Sequence, residues 1–306
     1  MQITRRHLMA TATAGLAASA LPHRGWTETR IALGDGEIVT LSDGTLSLPA
    51  DFIFGPMPKA ELPAVLTRFG IDPAAPLTPP CNVTLLRQGP VLALFDAGSG
   101  SGFQPSVGRL PDALSAAGID PLDITHVIFT HGHPDHLWGA LDDFDEPLFA
   151  NATHMMGQVE FDYWMDDATV ESIGAERASF AVGAQRRLEV LADGMVLFGD
   201  GDSVLPGVLA MATPGHTPGH MSFILGDGAD RVMVLGDAIG NPHVGFARPG
   251  WVSGSDQDPE QAARTRLALL DQITAQDMAV VGFHLPSGGI GRVLRGGDGF
   301  EFRPEI

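Results

Sequence analysis

The chain has 306 residues, 44% of them hydrophobic, enough to bury a sizeable core as one large domain or two small ones. Its 18 lysines and arginines face 37 aspartates and glutamates, a formal charge of −19, and a surface of that sign argues against nucleic acid or anionic lipid as a partner. A single cysteine, Cys81, excludes an intramolecular disulfide and a thiolate zinc cluster, and it reads as a small core residue at a strand start.

In chain order, residues 1–20 read as an export signal. Thr4-Arg5-Arg6 precedes an apolar stretch from Leu8 to Leu21, and Ala18-Ser19-Ala20 fits an A-x-A cleavage site. The stretch is shorter than the roughly 20 residues a membrane span needs. The paired arginines resemble a twin-arginine signal, although His7-Leu8-Met9 departs from its usual continuation. The expectation is a periplasmic or secreted protein without stable membrane association after cleavage. Residues 21–28 then form a linker and 29–306 one folded domain, for which a homodimer is compatible with the sequence.

IALGDGEIVTLSDGTLSL, residues 31–48, holds two β-rich runs punctuated by Asp-Gly and Gly-Asp. CNVTLLRQGPVLALFDAG predicts a hairpin around Gln88-Gly89-Pro90, its second strand buried on both faces. Gln104 to Ala117 has helical apolar spacing (Val107, Leu110, Ala113, Leu114) and stops at Gly118. ITHVIFT is the next buried strand. Residues 151–200 are richer in helical pattern and bulky side chains and read as a cap. GVLAMATPGHTPGH is a strand ending in a histidine-bearing loop, MSFILGDGADRVMVLGDA a hairpin ending at Asp237, Pro259 to Asp271 a helix, and AVVGFH a short strand ending at His284. Both halves therefore repeat strand, ligand-bearing loop, hairpin and helix. The expected fold class is α/β, an αβ/βα sandwich of two mixed β-sheets with helices outside and functional loops at one edge.

THGHPDH, residues 130–136, crowds three histidines and an aspartate just after a buried strand. Imidazole nitrogens and carboxylate oxygens suit zinc and neighbouring divalent ions. His131 and His133, at alternate positions, can point one way from an extended loop while Asp135 and His136 serve a second ion. The chain can close the set with His216, Asp237 and His284, each placed after an apolar strand.

HGHPDH, TPGHTPGH, LGDA and the late strand-histidine resemble the metallo-β-lactamase superfamily. LGDGEIVTLSDGTLSLP and HLPSGGIGRVLRGGDGFEFRP further resemble the methyl parathion hydrolase-like subgroup. The resemblance implies two divalent ions, zinc by ligand chemistry. His131, His133 and His216 would hold one, Asp135, His136 and His284 the other, with Asp237 bridging. It also implies a hydrolase whose nucleophile is a metal-bridging hydroxide, so no Ser-His-Asp triad is needed. Asp135 and Asp237 would be the catalytic carboxylates, orienting that hydroxide or moving its proton.

Phe103, Trp164 and Phe180 align with pocket aromatics of the subgroup, which implies a small neutral hydrophobic substrate: an ester, lactone or phosphotriester. Trp138, where small residues are common, would reshape the pocket mouth. His220 reads as a supporting residue, His243 as facing substrate, and His23, His126 and His154 as structural or exposed. Departures narrow the field. Acyl-homoserine lactonases carry a tyrosine three positions after the bridging aspartate, where this chain has Gly240, so a quorum-signal lactonase of that type is disfavoured. Class B β-lactamases place a cysteine at Asp237, nucleases need a basic track, and the di-iron oxygen reductases carry glutamate at His133. A redox (iron) member and a non-catalytic metal-binding member of the fold stay as alternatives.

Overall fold

Short apolar runs buried on both faces make strands rather than helices, and here they build two seven-stranded sheets packed face to face. The computed structural model describes residues 29–228 and 230–305. The segments read as an export signal and a linker, and His23, lie outside the described residues. The first sheet contains β1 (Thr29–Leu33), β2 (Gly36–Thr45), β3 (Pro80–Gln88), β4 (Val91–Phe95), β5 (His126–Phe129), β6 (Thr153–Gly157) and β7 (Val196–Phe198), in chain order. The second contains β8 (Ser203–Leu205), β9 (Val208–Ala212), β10 (Met221–Leu225), β11 (Val232–Val234), β12 (Ala279–Val281), β13 (Ile290–Gly296) and β14 (Gly299–Pro304), also laid side by side in chain order. Antiparallel pairs run from β1 to β4, and β4 to β7 are parallel. In the second sheet β11 and β12 are the parallel pair and the others are antiparallel.

The helices among the described residues are α1 (Ala50–Phe54), α2 (Leu62–Arg68), α3 (Leu110–Ala116), α4 (Pro134–Leu137), α5 (Gln158–Met165), α6 (Asp167–Ser172), α7 (Ala178–Leu191), α8 (Val244–Ala247) and α9 (Pro259–Ala275). Strand alternation sorts side chains into layers. Ile128 of β5 joins Phe95 and Phe223 between the sheets, whereas Val127 and Phe129 join Leu110 and Leu188 beneath the helices of the first sheet. In β11, Val232 and Val234 face between the sheets and Met233 meets Leu269 and Leu270 of α9. The result is the αβ/βα sandwich, with burial on both sides of each sheet. No described helix is long and apolar enough to cross a membrane.

Two expectations change. The helix read from Gln104 begins only at Leu110, because the segment before it is held in turns around the buried Asp43 carboxylate. That group accepts from the backbone nitrogens of Ser99 (2.8 Å), Gly108 (3.2 Å) and Leu110 (2.8 Å). Its far end is as read: Gly118 has φ +71, and the Ile119 and Gly118 nitrogens donate to Leu114 and Ser115 in a Schellman closure. Residues 151–200 are also more than a cap. They begin with β6, end by forming β7, and only α5–α7 between them cover the sheet.

Candidate metal centre

Four strand ends deliver the site to one edge. The loop after β5 carries His131 and His133, and α4 carries Asp135 and His136. His216 sits in the loop between β9 and β10, Asp237 follows β11, and His284 follows β12. The parallel pairing of β11 with β12 sends Asp237 and His284 out on the same side. All seven residues are buried, none more than 7% exposed.

Their ligand atoms converge in two overlapping groups. His131 Nε2 lies 3.0 Å from His133 Nδ1, which lies 2.9 Å from His216 Nε2. On the other side, Asp135 Oδ2 is 3.2 Å from His284 Nε2 and 3.5 Å from His136 Nε2. Asp237 reaches both groups: its Oδ2 is 3.3 Å from His216 Nε2 and 3.2 Å from His284 Nε2, and its Oδ1 is 3.4 Å from His136 Nε2. A tetrahedral ion with bonds of roughly 2.0–2.1 Å separates its ligand atoms by roughly 3.3 Å, so these spacings suit such ions. Asp135 Oδ2, His136 Nε2 and Asp237 Oδ1 are buried without a hydrogen-bond partner among the described residues. Leaving them so is costly, and a cation between them would remove the cost.

The surrounding polar groups fix the histidine tautomers. His136 Nδ1 donates to Asp96 at 2.7 Å, His216 Nδ1 to Asp256 at 3.1 Å, and His284 Nδ1 to the Pro80 carbonyl at 2.8 Å. Each bond places a proton on Nδ1 and turns Nε2 toward the cluster, the nitrogen a metal would take. Asp256 is held in turn by the buried Arg266 at 2.8 Å. Asn82 steadies the His284 segment by donating to the carbonyls of Phe283 (2.9 Å) and Leu285 (2.8 Å). Burial first, and then neighbouring imidazoles, hold His131 and His133 well below the usual histidine range and therefore neutral. Burial opposes charge on Asp237 too, but His284 and His136 outweigh it and keep that carboxyl well below the usual carboxylate range.

His220, read as a supporting residue, accepts from the Asp237 backbone nitrogen at 2.9 Å and so aims the central carboxylate. Glu160 was not singled out by any motif. Fully buried, it accepts from Gly132 N (2.9 Å) and Trp164 Nε1 (2.5 Å) on one oxygen, and from Thr217 Oγ1 (2.7 Å) and Gly219 N (3.0 Å) on the other. One carboxylate thus ties the His131–His133 loop to the His216 loop. Asp256 and Arg266 were also missed, and only tertiary contact reveals them. Asp96 carried a signal, an aspartate closing a buried strand.

A cavity of about 90 Å³ opens on the cluster, with His133, Asp135, His216, Asp237 and His284 in its wall. Phe103 and Phe180 line it, their rings edge to face at 5.9 Å. Trp164 does not. Expected at the pocket wall, it is 0% exposed, its indole nitrogen committed to Glu160 and its ring set edge-on behind His133 at 5.8 Å. Trp138 stands behind Phe103 at 5.6 Å, under the Arg187 guanidinium. The sequence reading also missed Arg177, which lines the cavity and lies over Phe52. His126 and His154 are structural: the first bonds Thr125 at 2.9 Å and the second stacks on Phe129.

The family model described as "Metallo-beta-lactamase superfamily" matches residues 78–284. Among curated proteins, "Metallo-beta-lactamase domain-containing protein 1" of Xenopus laevis is 32% identical over 194 residues, 62% of this chain and 65% of its own. "N-acyl homoserine lactonase AttM" of Agrobacterium fabrum is 32% identical over 123 residues, 37% of this chain and 40% of its own. The chain thus spans less than two thirds of the length of either relative. Among solved structures, AidC, a dizinc quorum-quenching lactonase, superposes with a TM-score of 0.84 at 25% identity, covering 91% of this chain and 97% of that one. The "hydrolase AbOPH in beta lactamase superfamily" gives 0.83 at 26% identity, with the same coverage.

Proposed function

Because the chain belongs to the metallo-β-lactamase superfamily, we propose that it is a metal-dependent hydrolase of small neutral esters, lactones or phosphotriesters, with a centre for two divalent ions. Zinc fits the nitrogen and oxygen donor set. The carrying observation is the convergence of seven buried ligand side chains, Asp237 within reach of His136, His216 and His284, with three of their polar atoms left without partners among the described residues. In this reading His131, His133 and His216 would hold one ion and Asp135, His136 and His284 the other, with Asp237 within reach of both groups. Bound there, such ions would supply Lewis acidity, enough to activate water near neutral pH.

The chain's own residues do the rest. Asp135 and Asp237 orient the attacking water from the cavity floor, and Asp96 and Asp256 keep His136 and His216 in the ligating tautomer. Phe103 and Phe180 bind the apolar part of the substrate and exclude water. The lactone arm draws support from the relatives named as lactonases. Gly240 also lines the cavity and brings no hydroxyl there, and the Tyr163 hydroxyl is bound to Gln257 at 2.6 Å, so lactone cleavage here would proceed without a tyrosine donor at that corner.

Turnover of a panel of aryl esters, lactones and phosphotriesters, measured beside metal content, tests the proposal. Metal-dependent hydrolysis of at least one class is expected. A metal-loaded protein that hydrolyses none would move the reading to a redox or binding role. Export through residues 1–20 is proposed on the sequence alone.

A further inference from the structure

A second cavity, of about 230 Å³, adjoins the first and shares Leu48, Ile53, Pro79, Gly240, Ser255 and His284 with it. One of its walls is apolar, with Leu77 beside Leu48 and Ile53. Its lining also carries Asn241 and His243, together with the hydroxyls of Thr78 and Ser255. Asn241 and His243 have both spent their acceptors on the start of α8. Val244 N donates to His243 Nδ1 at 2.9 Å, and Gly245 N donates to Asn241 Oδ1 at 2.8 Å. His243 therefore carries its proton on Nε2, and burial lowers its pKa to about 4, so the ring is neutral at pH 7. The Phe54 and Phe69 rings, 5.7 and 6.1 Å away, hold it in place. Neither His243 Nε2 nor Asn241 Nδ2 has a hydrogen-bond partner among the described residues.

We propose that this chamber is a substrate-side subsite selecting an uncharged apolar chain that carries a hydrogen-bond acceptor, a ketone or amide carbonyl, bound by His243 Nε2–H and Asn241 Nδ2–H. These two donors discriminate by what they leave unpaired: a plain alkyl chain strands both groups. The shared His284 and Gly240 place the chamber directly beside the candidate metal centre, so one arm of a bound ester would enter it. The inference rests on the hydrolase reading for that placement alone.

Binding can be tested without turnover. The full chain is labelled with ¹⁵N at its histidine side chains and titrated with N-hexylacetamide, a neutral probe with an alkyl chain and an accepting carbonyl. The His243 Nε2–H signal, identified by its loss in His243→Phe, should shift on binding. The dissociation constant should rise about tenfold in His243→Phe and in Asn241→Asp, which keeps the acceptor for Gly245 but removes the donor. An unmoved His243 signal, or Asn241→Asp binding as tightly as wild type, would overturn the assignment. Normal amide binding with no hydrolysis of any ester would instead remove the hydrolase reading and leave the subsite standing.

Discussion

At the scale of single residues, Trp164 and Phe180 show what spacing can and cannot reveal. Both are bulky aromatics in the covering helices, and the subgroup resemblance placed both at the pocket. Phe180 lines the cavity, while Trp164 turns into the core to meet Glu160. α5 spans only Gln158–Met165 and carries Phe161, Tyr163 and Trp164 within four positions, so no helical period distinguishes its buried face. The two positions predict opposite phenotypes. Trp164→Ala should cost about 3–5 kcal/mol of folding stability with little change in substrate preference. Phe180→Ala should remove apolar contact worth about 1–3 kcal/mol, read as weaker binding of bulky esters at nearly unchanged melting temperature. Chemical denaturation together with steady-state kinetics on both variants checks this, and a selectivity change in Trp164→Ala alone would reverse the assignment. The ligand histidines were legible because residue type and spacing state their chemistry. Glu160, Asp256 and Arg266 were not, since their role exists only where distant segments meet.

At the scale of elements, the strands that carry the site could be read directly: each is a short apolar run with a polar residue at its exit. β6 escaped because THMMG offers too few residues to establish a period, and α3 was read too long because Asp43, more than sixty residues away in sequence, decides where the turn ends and the helix starts. Loop geometry is equally dependent on contact. Gly215 precedes His216 at φ +130, and a Cβ there would stand 2.3 Å from the Ala262 nitrogen at the start of α9. No larger residue fits without moving the loop. Gly215→Ala should therefore displace His216, lowering both the metal content and the melting temperature. Wild-type values for both would show that the loop tolerates the shift and that its clasp on α9 does not position the ligand.

At the scale of the whole molecule, the two sheets are the scaffold and their shared edge is the device. The chain as a whole carries a formal charge of −19, which suits cations and uncharged substrates better than anions. If Arg5-Arg6 directs export through the twin-arginine route, replacing both by lysine should retain the precursor in the cytoplasm; normal export of that variant would assign the signal to the Sec route. Metal should also hold the fold together, because its removal leaves buried carboxylates and imidazoles facing one another. Binding at about a thousandfold over the dissociation constant contributes about 4 kcal/mol, so chelation should lower the melting temperature markedly. The most direct test is equilibrium metal stoichiometry with activity, on wild type and Asp237→Ala. About two divalent ions per chain are expected in the wild type, falling to one or none with nearly all hydrolysis lost in the variant. Full activity from a preparation holding less than one ion per chain would contradict the dinuclear centre.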